Sequence, residues 1–231
     1  MSSAFQSSEL TAINTDELEQ YFHILVAQIG PIPSHLEDGL SIGVEVFTLS
    51  EGLGLPTDSL KRLWRHSIQT GFLAALIAIQ QRVNRSVAWE SFVGGLLHDI
   101  GMLIFLTHHS HVFMAVVDLA QCRGQELGSI EKNLLGMTHA ESGAQFLARW
   151  GVPSELQTIV TFHDQPFQSS STGFCALTAV YIANVLEGGG MAQDSDGVIG
   201  WESEAYLVRL GLWDDLPRWQ GWARELFSLS V

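Results

Sequence analysis

Five residues of this chain have the types and placement to hold a divalent cation: His66, His98, Asp99, His139 and His163. His98 and Asp99 stand side by side at the end of the apolar run Gly94-Gly95-Leu96-Leu97, with Gly101 close behind. A carboxylate delivered into an apolar interior carries a heavy desolvation cost unless something satisfies it. A divalent ion, a hydrogen-bond network or a buried ion pair would each do so. Adjacent residues of a regular helix point about 100° apart, so both side chains reach one ion only at a helix end or break. Gly101 provides for such a break. Imidazole and carboxylate together suit iron, manganese, zinc or nickel, and ligand type does not choose among them.

Taken singly, each histidine reads as an ordinary core or surface residue; the set says more than its members. His108, His109 and His111 fall where one predicted helix ends and the next begins, a place that favours polar or cationic side chains, and they read as surface. His23 and His35 read as structural. Arg62 and Arg65 flank His66, either as an anion clamp beside the site or as part of a solvated face.

The elements that must position these residues all read as helices. Asn14 with Glu17 resembles a capping box opening a helix that runs to about Ile29, and Ser34 with Glu37 opens a second. Thr57 precedes a long helix to roughly Val83 carrying His66, and Ser86 starts the one leading into His98-Asp99. Met102 to His108 and Ser110 to Ala120 read as two further runs. Thr138 and Glu141 form a capping box that puts His139 in a first turn; Pro153 opens the helix that reaches His163-Asp164. Ala176 to Glu187 is an apolar helix. Two short helices then hold Trp201, Trp213, Trp219 and Trp222, whose spacing suits burial on the core or on a second subunit. No period-2 strand pattern persists, so the fold class is all-α.

Composition sets the outer bounds. The chain has 231 residues, 46% of them hydrophobic, and a formal net charge of −14. That charge argues against nucleic acid, whose phosphates call for clustered Lys and Arg. Cys122 and Cys175 make no disulfide framework, the N-terminus lacks a signal-peptide pattern, and no apolar run is long enough to span a bilayer. The expectation is a cytoplasmic protein with no membrane partner.

Leu63-Trp64-Arg65-His66-Ser67, Gly95-Leu96-Leu97-His98-Asp99-Ile100-Gly101, Leu135-Gly136-Met137-Thr138-His139-Ala140-Glu141-Ser142-Gly143, Arg149-Trp150-Gly151-Val152-Pro153 and Phe162-His163-Asp164-Gln165-Pro166 occur in this order. Together they resemble the HD superfamily, and most closely its HDOD branch, over about residues 60 to 190. The resemblance implies an all-α HD-like bundle around a central His/Asp pocket. It divides the chain into a shortened N-terminal helical segment (1–56), an HD/HDOD core (57–190) and a Trp-rich appendage (191–231).

It also implies that His66, His98 and Asp99 ligate one metal, with His139 and His163 candidates for a second. In active HD phosphohydrolases the metals activate water and polarise a phosphoryl oxygen. Two positions depart from that pattern. Asn184 stands about where the superfamily's final aspartate ligand belongs, and Met102 stands where the related cyclic-dinucleotide phosphodiesterases have lysine. The resulting expectation is a bacterial signalling module that binds a protein partner or a small phosphorylated ligand, with a homodimer through the tail. The alternative is a metal-dependent phosphohydrolase.

Overall fold

The computed structural model describes residue 13, residues 15–188 and residues 201–228, the side chains at 201, 202 and 228 excepted. Asn14 and its proposed cap, the start of the tail linker and the side chain of Trp201 lie outside the described residues. Among those described, the regular structure is helical throughout: α1 (Asp16–Ile29), α2 (Ser34–Ser50), α3 (Thr57–Gln80), α4 (Arg85–Leu97), α5 (Ile100–Arg123), α6 (Leu127–Leu135), α7 (His139–Arg149), α8 (Ser154–Phe162), α9 (Ala176–Glu187), α10 (Trp201–Arg209) and α11 (Leu216–Ser228). Trp213 sits in a short 3-10 turn before α11.

The core is built on α3, which packs chiefly on α4 and α9. Gly71 and Gly95 explain how closely α3 and α4 approach. A Cβ on Gly95 would lie 2.4 Å from the Gly71 Cα, and one on Gly71 would lie 2.6 Å from the Phe92 carbonyl oxygen. The two backbones touch where any side chain would part them. That contact brings His66 of α3 level with the end of α4.

One element agrees with the sequence reading in detail and two differ from it. The runs Met102–His108 and Ser110–Ala120 meet, as expected, at a break: α5 is two helical segments joined across a kink at His109 (φ −147°, ψ 47°). Helix α6 was not expected at all, though Gly124 and Gly136, both at positive φ, bracket it, and Leu127 and Ile130 bury on its inner face. By length and composition Arg85–Arg123 could cross a membrane, where the sequence reading found no such run; half of its apolar window is buried inside the protein, as in a core helix.

The tail folds back onto its own chain. Trp219 is fully buried, and its Nε1 donates to Gln80 Oε1 at 3.2 Å. Tyr206 of α10 hydrogen-bonds Thr178 of α9 at 2.9 Å. Trp219 is therefore spent within the chain rather than on a second subunit. Gly221, inside α11, has nothing within 4 Å of where its Cβ would be. Gly221→Ala is expected to stabilise the fold by about 0.5–1 kcal/mol, the usual cost of an interior helical glycine, measured by urea denaturation.

Candidate metal centre

Four helix ends and one helix interior meet at a single buried point. His66 projects from the middle of α3; His98 and Asp99 occupy the break between α4 and α5; His139 is the first residue of α7; His163 follows the last residue of α8. All five are buried, none more than 3% exposed. The break after α4 resolves the geometric problem of adjacent ligands, since Asp99 leaves helical geometry (φ −101°, ψ 13°). The capping box of α7 is present as expected: Thr138 Oγ1 accepts from the Glu141 N–H and Glu141 Oε2 accepts from the Thr138 N–H, each at 3.0 Å.

The donor atoms form two triangles that share Asp99. In the first, His66 Nε2 and His98 Nε2 are 3.0 Å apart, and Asp99 Oδ2 lies 3.5 and 3.4 Å from them. In the second, His139 Nε2 and His163 Nε2 are 3.2 Å apart, and Asp99 Oδ1 lies 3.5 and 3.3 Å from them. Ligands about 2.1 Å from one ion are separated by about 3.0 Å at right angles and about 3.4 Å at tetrahedral angles. Both triangles have that size, and each could hold a metal ion.

Hydrogen bonding around the centre fixes which nitrogens point inward. His98 Nδ1 donates to the Gly95 carbonyl at 2.7 Å and His163 Nδ1 to the Val160 carbonyl at 2.8 Å. His139 Nδ1 donates to Glu131 Oε2 at 2.8 Å, and His66 Nδ1 donates to Glu187 Oε2. A carbonyl or carboxylate only accepts, so every Nδ1 carries the proton. In the neutral ring the Nε2 lone pair then faces the cavity, as in histidines that ligate metals. Four such lone pairs converging with a carboxylate suit a cation, so the donor set fits the divalent ion expected from the sequence.

Without an ion, protons compensate. Burial pulls His66 down, but Glu187, Asp99 and Asp164 outweigh it and hold its pKa above the ordinary value. Against the same burial, Glu131 and Asp164 hold His139 well above it, and Asp164 and Asp99 raise His163. His98 goes the other way: burial, with His66 and His163 beside it, outweighs Asp99 and lowers it to about 3. The imidazoles hold Asp99 well below the carboxylate range despite burial, and Asp164 at about 2.

Three acidic residues were missed as members of this centre. Asp164 lies 3.4 Å from both His139 Nε2 and His163 Nε2, and at 37% side-chain exposure it marks a side of the centre that meets solvent. Its signal was present, since His163-Asp164 repeats the His98-Asp99 dipeptide. Glu131 is fully buried on α6, the helix the sequence reading passed over. Glu187 ends α9.

Asn184, expected to ligate, is buried one turn before Glu187, and its Oδ1 has no hydrogen-bond partner; Glu131 Oε1 is likewise unpartnered. The residue of α9 that reaches His66 is Glu187. Arg62 and Arg65 are exposed on α3; Arg62 donates to Ser59 Oγ at 3.4 Å, and neither forms an ion pair among the described residues. His108, His109 and His111 are exposed at the α5 kink, and His23 and His35 are exposed too rather than structural.

A sequence profile of the HDOD domain matches residues 39–166, more than half of the chain. The chain belongs to the HDOD family. The HDOD match begins inside the segment expected to precede the core and stops before α9. An HDOD-domain protein of unknown function from Geobacter sulfurreducens shares the fold with a TM-score of 0.56 and 16% identity, over 96% of this chain and 88% of that one. A candidate phosphohydrolase from Shewanella amazonensis SB2B does so at 0.51 and 18%, over 90% and 91%. A candidate signal transduction protein from Marinobacter aquaeolei VT8 gives 0.55 and 16%, over 92% and 62%. An uncharacterized protein of Treponema pallidum (strain Nichols) is 24% identical over 106 residues, or 46% of this HDOD chain; the chain spans a fifth of that relative's length.

Proposed function

We propose that this HDOD chain is a cytoplasmic signalling module that holds two divalent ions and acts by binding a protein partner or a small phosphorylated ligand. The observation that carries the metal part is Asp99, with one oxygen facing each pair of inward imidazole nitrogens. His66, His98 and Asp99 would hold one ion, and His139, His163 and Asp99 the other, with Asp164 beside it. A ligand would reach the centre on the side of Asp164, whose side chain is 37% exposed, and Arg62 and Arg65, solvent-exposed on the helix that carries His66, are candidates for anion contacts. Asn184 in place of a charged ligand and Met102 in place of a phosphate-binding lysine favour recognition over turnover.

The shared carboxylate favours a second reading, hydrolysis of a phosphate ester. A bound divalent ion would supply Lewis acidity to a phosphoryl oxygen and acidify water. Protein purified without chelators is expected to carry close to two equivalents of iron, manganese, zinc or nickel by elemental analysis; none, with no uptake of added metal, would end the metal reading. Metal-loaded protein is expected to leave nitrophenyl phosphate mono- and diesters intact. Robust turnover lost in His98→Ala would establish the second reading instead.

The pH dependence has a definite sign. Protonated His66, His139 and His163 stabilise the metal-free fold below the ordinary value near 6.5, and this contribution is lost as pH rises through their raised values. An ion must displace those protons, so metal affinity rises over the same alkaline window. Thermal melts with and without metal from pH 6 to 9 are expected to diverge as pH increases.

A further inference from the structure

The four imidazoles are not held equally. His98 and His163 are locked by carbonyls three residues earlier in their own chain segments. His139 is locked twice by one fully buried carboxylate, since Glu131 Oε2 accepts from both its Nδ1 and its backbone N–H, each at 2.8 Å. His66 differs. It lies inside α3, where the helix already uses the neighbouring carbonyls, so its Nδ1 needs a partner from elsewhere. That partner is Glu187, distant by 121 positions, at the last residue of α9 and with a side chain 17% exposed. Gly188, in the left-handed region at φ 99°, ends the helix immediately afterwards.

The halves also differ in donors. Asp164 adds a carboxylate oxygen 3.4 Å from each of His139 and His163, whereas in the half containing His66 the Nε2 atoms pair with no second acidic residue beside Asp99 among the described residues. Resting on the metal reading above, we infer that Glu187 is the positioning residue for His66, and that the ion between His66, His98 and Asp99 is the weaker, exchangeable one of the two. The ion between His139, His163 and Asp99 is the tighter, resident one. Losing an orienting partner of a metal-binding histidine lowers affinity by roughly 10–100-fold, which sets the scale of the effect.

The test is calorimetric titration of the chelator-stripped full chain with Mn²⁺, paired with ¹⁵N NMR of the histidine rings. Wild type is expected to take up manganese in two resolved steps. Glu187→Ala is expected to weaken only the weaker step, by about 10–100-fold, and to abolish the Nδ1–H tautomer of His66. Glu187→Gln, which keeps an oxygen acceptor and guards against a folding defect in the alanine variant, is expected to weaken that step less. Two equal steps, loss confined to the tight step, equal loss in both, or no loss would overturn the inference while leaving the metal reading intact. No manganese uptake by wild type would overturn both.

Discussion

Asp99→Ala is expected to strip both ions from the centre in one substitution. Each imidazole serves one half only, whereas the two oxygens of Asp99 lie 3.3–3.5 Å from all four Nε2 atoms. His66→Ala should therefore lose one ion and His163→Ala the other, while Asp99→Ala loses both. The drop in affinity is expected to exceed the roughly 10–100-fold that an orienting neighbour is worth, because the substitution removes a donor rather than its support. Elemental analysis of the three variants, purified side by side, reads the result directly. An Asp99→Ala protein that still retained one full equivalent would show that the two triangles do not depend on a common carboxylate.

The second large effect concerns a residue that binds nothing. A Cβ at Gly101 would lie 1.8 Å from the His139 carbonyl oxygen and 2.6 Å from its carbonyl carbon. Both are backbone atoms, so no rotamer change relieves the clash; α5 and α7 must separate. Overpacking against movable side chains costs about 1–3 kcal/mol, and Gly101→Ala is expected to cost at least about 3 kcal/mol. The same separation moves His139 away from Asp99, so the metal content of any folded fraction should fall too. Gly173→Ala, with nothing within 4 Å of the added carbon, is the control and should change stability by less than about 0.5 kcal/mol. Urea denaturation that ranked the two substitutions equally would contradict the direct α5–α7 contact.

How far the centre could be read from the chain depended on whether its parts lay next to recognisable local signals. His98-Asp99 announces itself by adjacency and a following glycine, and His139 by the Thr138–Glu141 capping box, which the structure contains. The all-helical class followed from hydrophobic spacing and the lack of alternation. Glu131 and Glu187 had no such markers. Each orients an imidazole of another helix, Glu131 also holding the His139 backbone N–H, and which face of α6 or α9 turns inward depends on packing between helices. Glu131 was doubly hidden, because it lies on α6, a helix of only nine residues to which the sequence reading assigns no element. Asn184 stands where the motif puts a ligand and is buried with an unpartnered Oδ1, whereas Glu187, a helix turn later, hydrogen-bonds the outward nitrogen of His66, a role no motif marks. The α5 kink was legible in the same local way as the capping box. His109 leaves helical geometry between Met102–His108 and Ser110–Ala120, so the break in hydrophobic pattern coincides with a real break in the backbone.

Asp99, Glu131, Asp164 and Glu187 bring four formal negative charges to the centre, and among the described residues no lysine or arginine pairs with any of them. Two divalent cations would carry the matching positive charge, making the filled interior electroneutral without a single basic side chain. When the cavity is empty of metal, only imidazolium protons can perform that office, and three of the four rings are tuned to accept them. On the two-metal reading proposed above, the heart of the bundle would behave as a small ion exchanger, trading protons for divalent cations, with its state of loading coupled to the acidity of its surroundings.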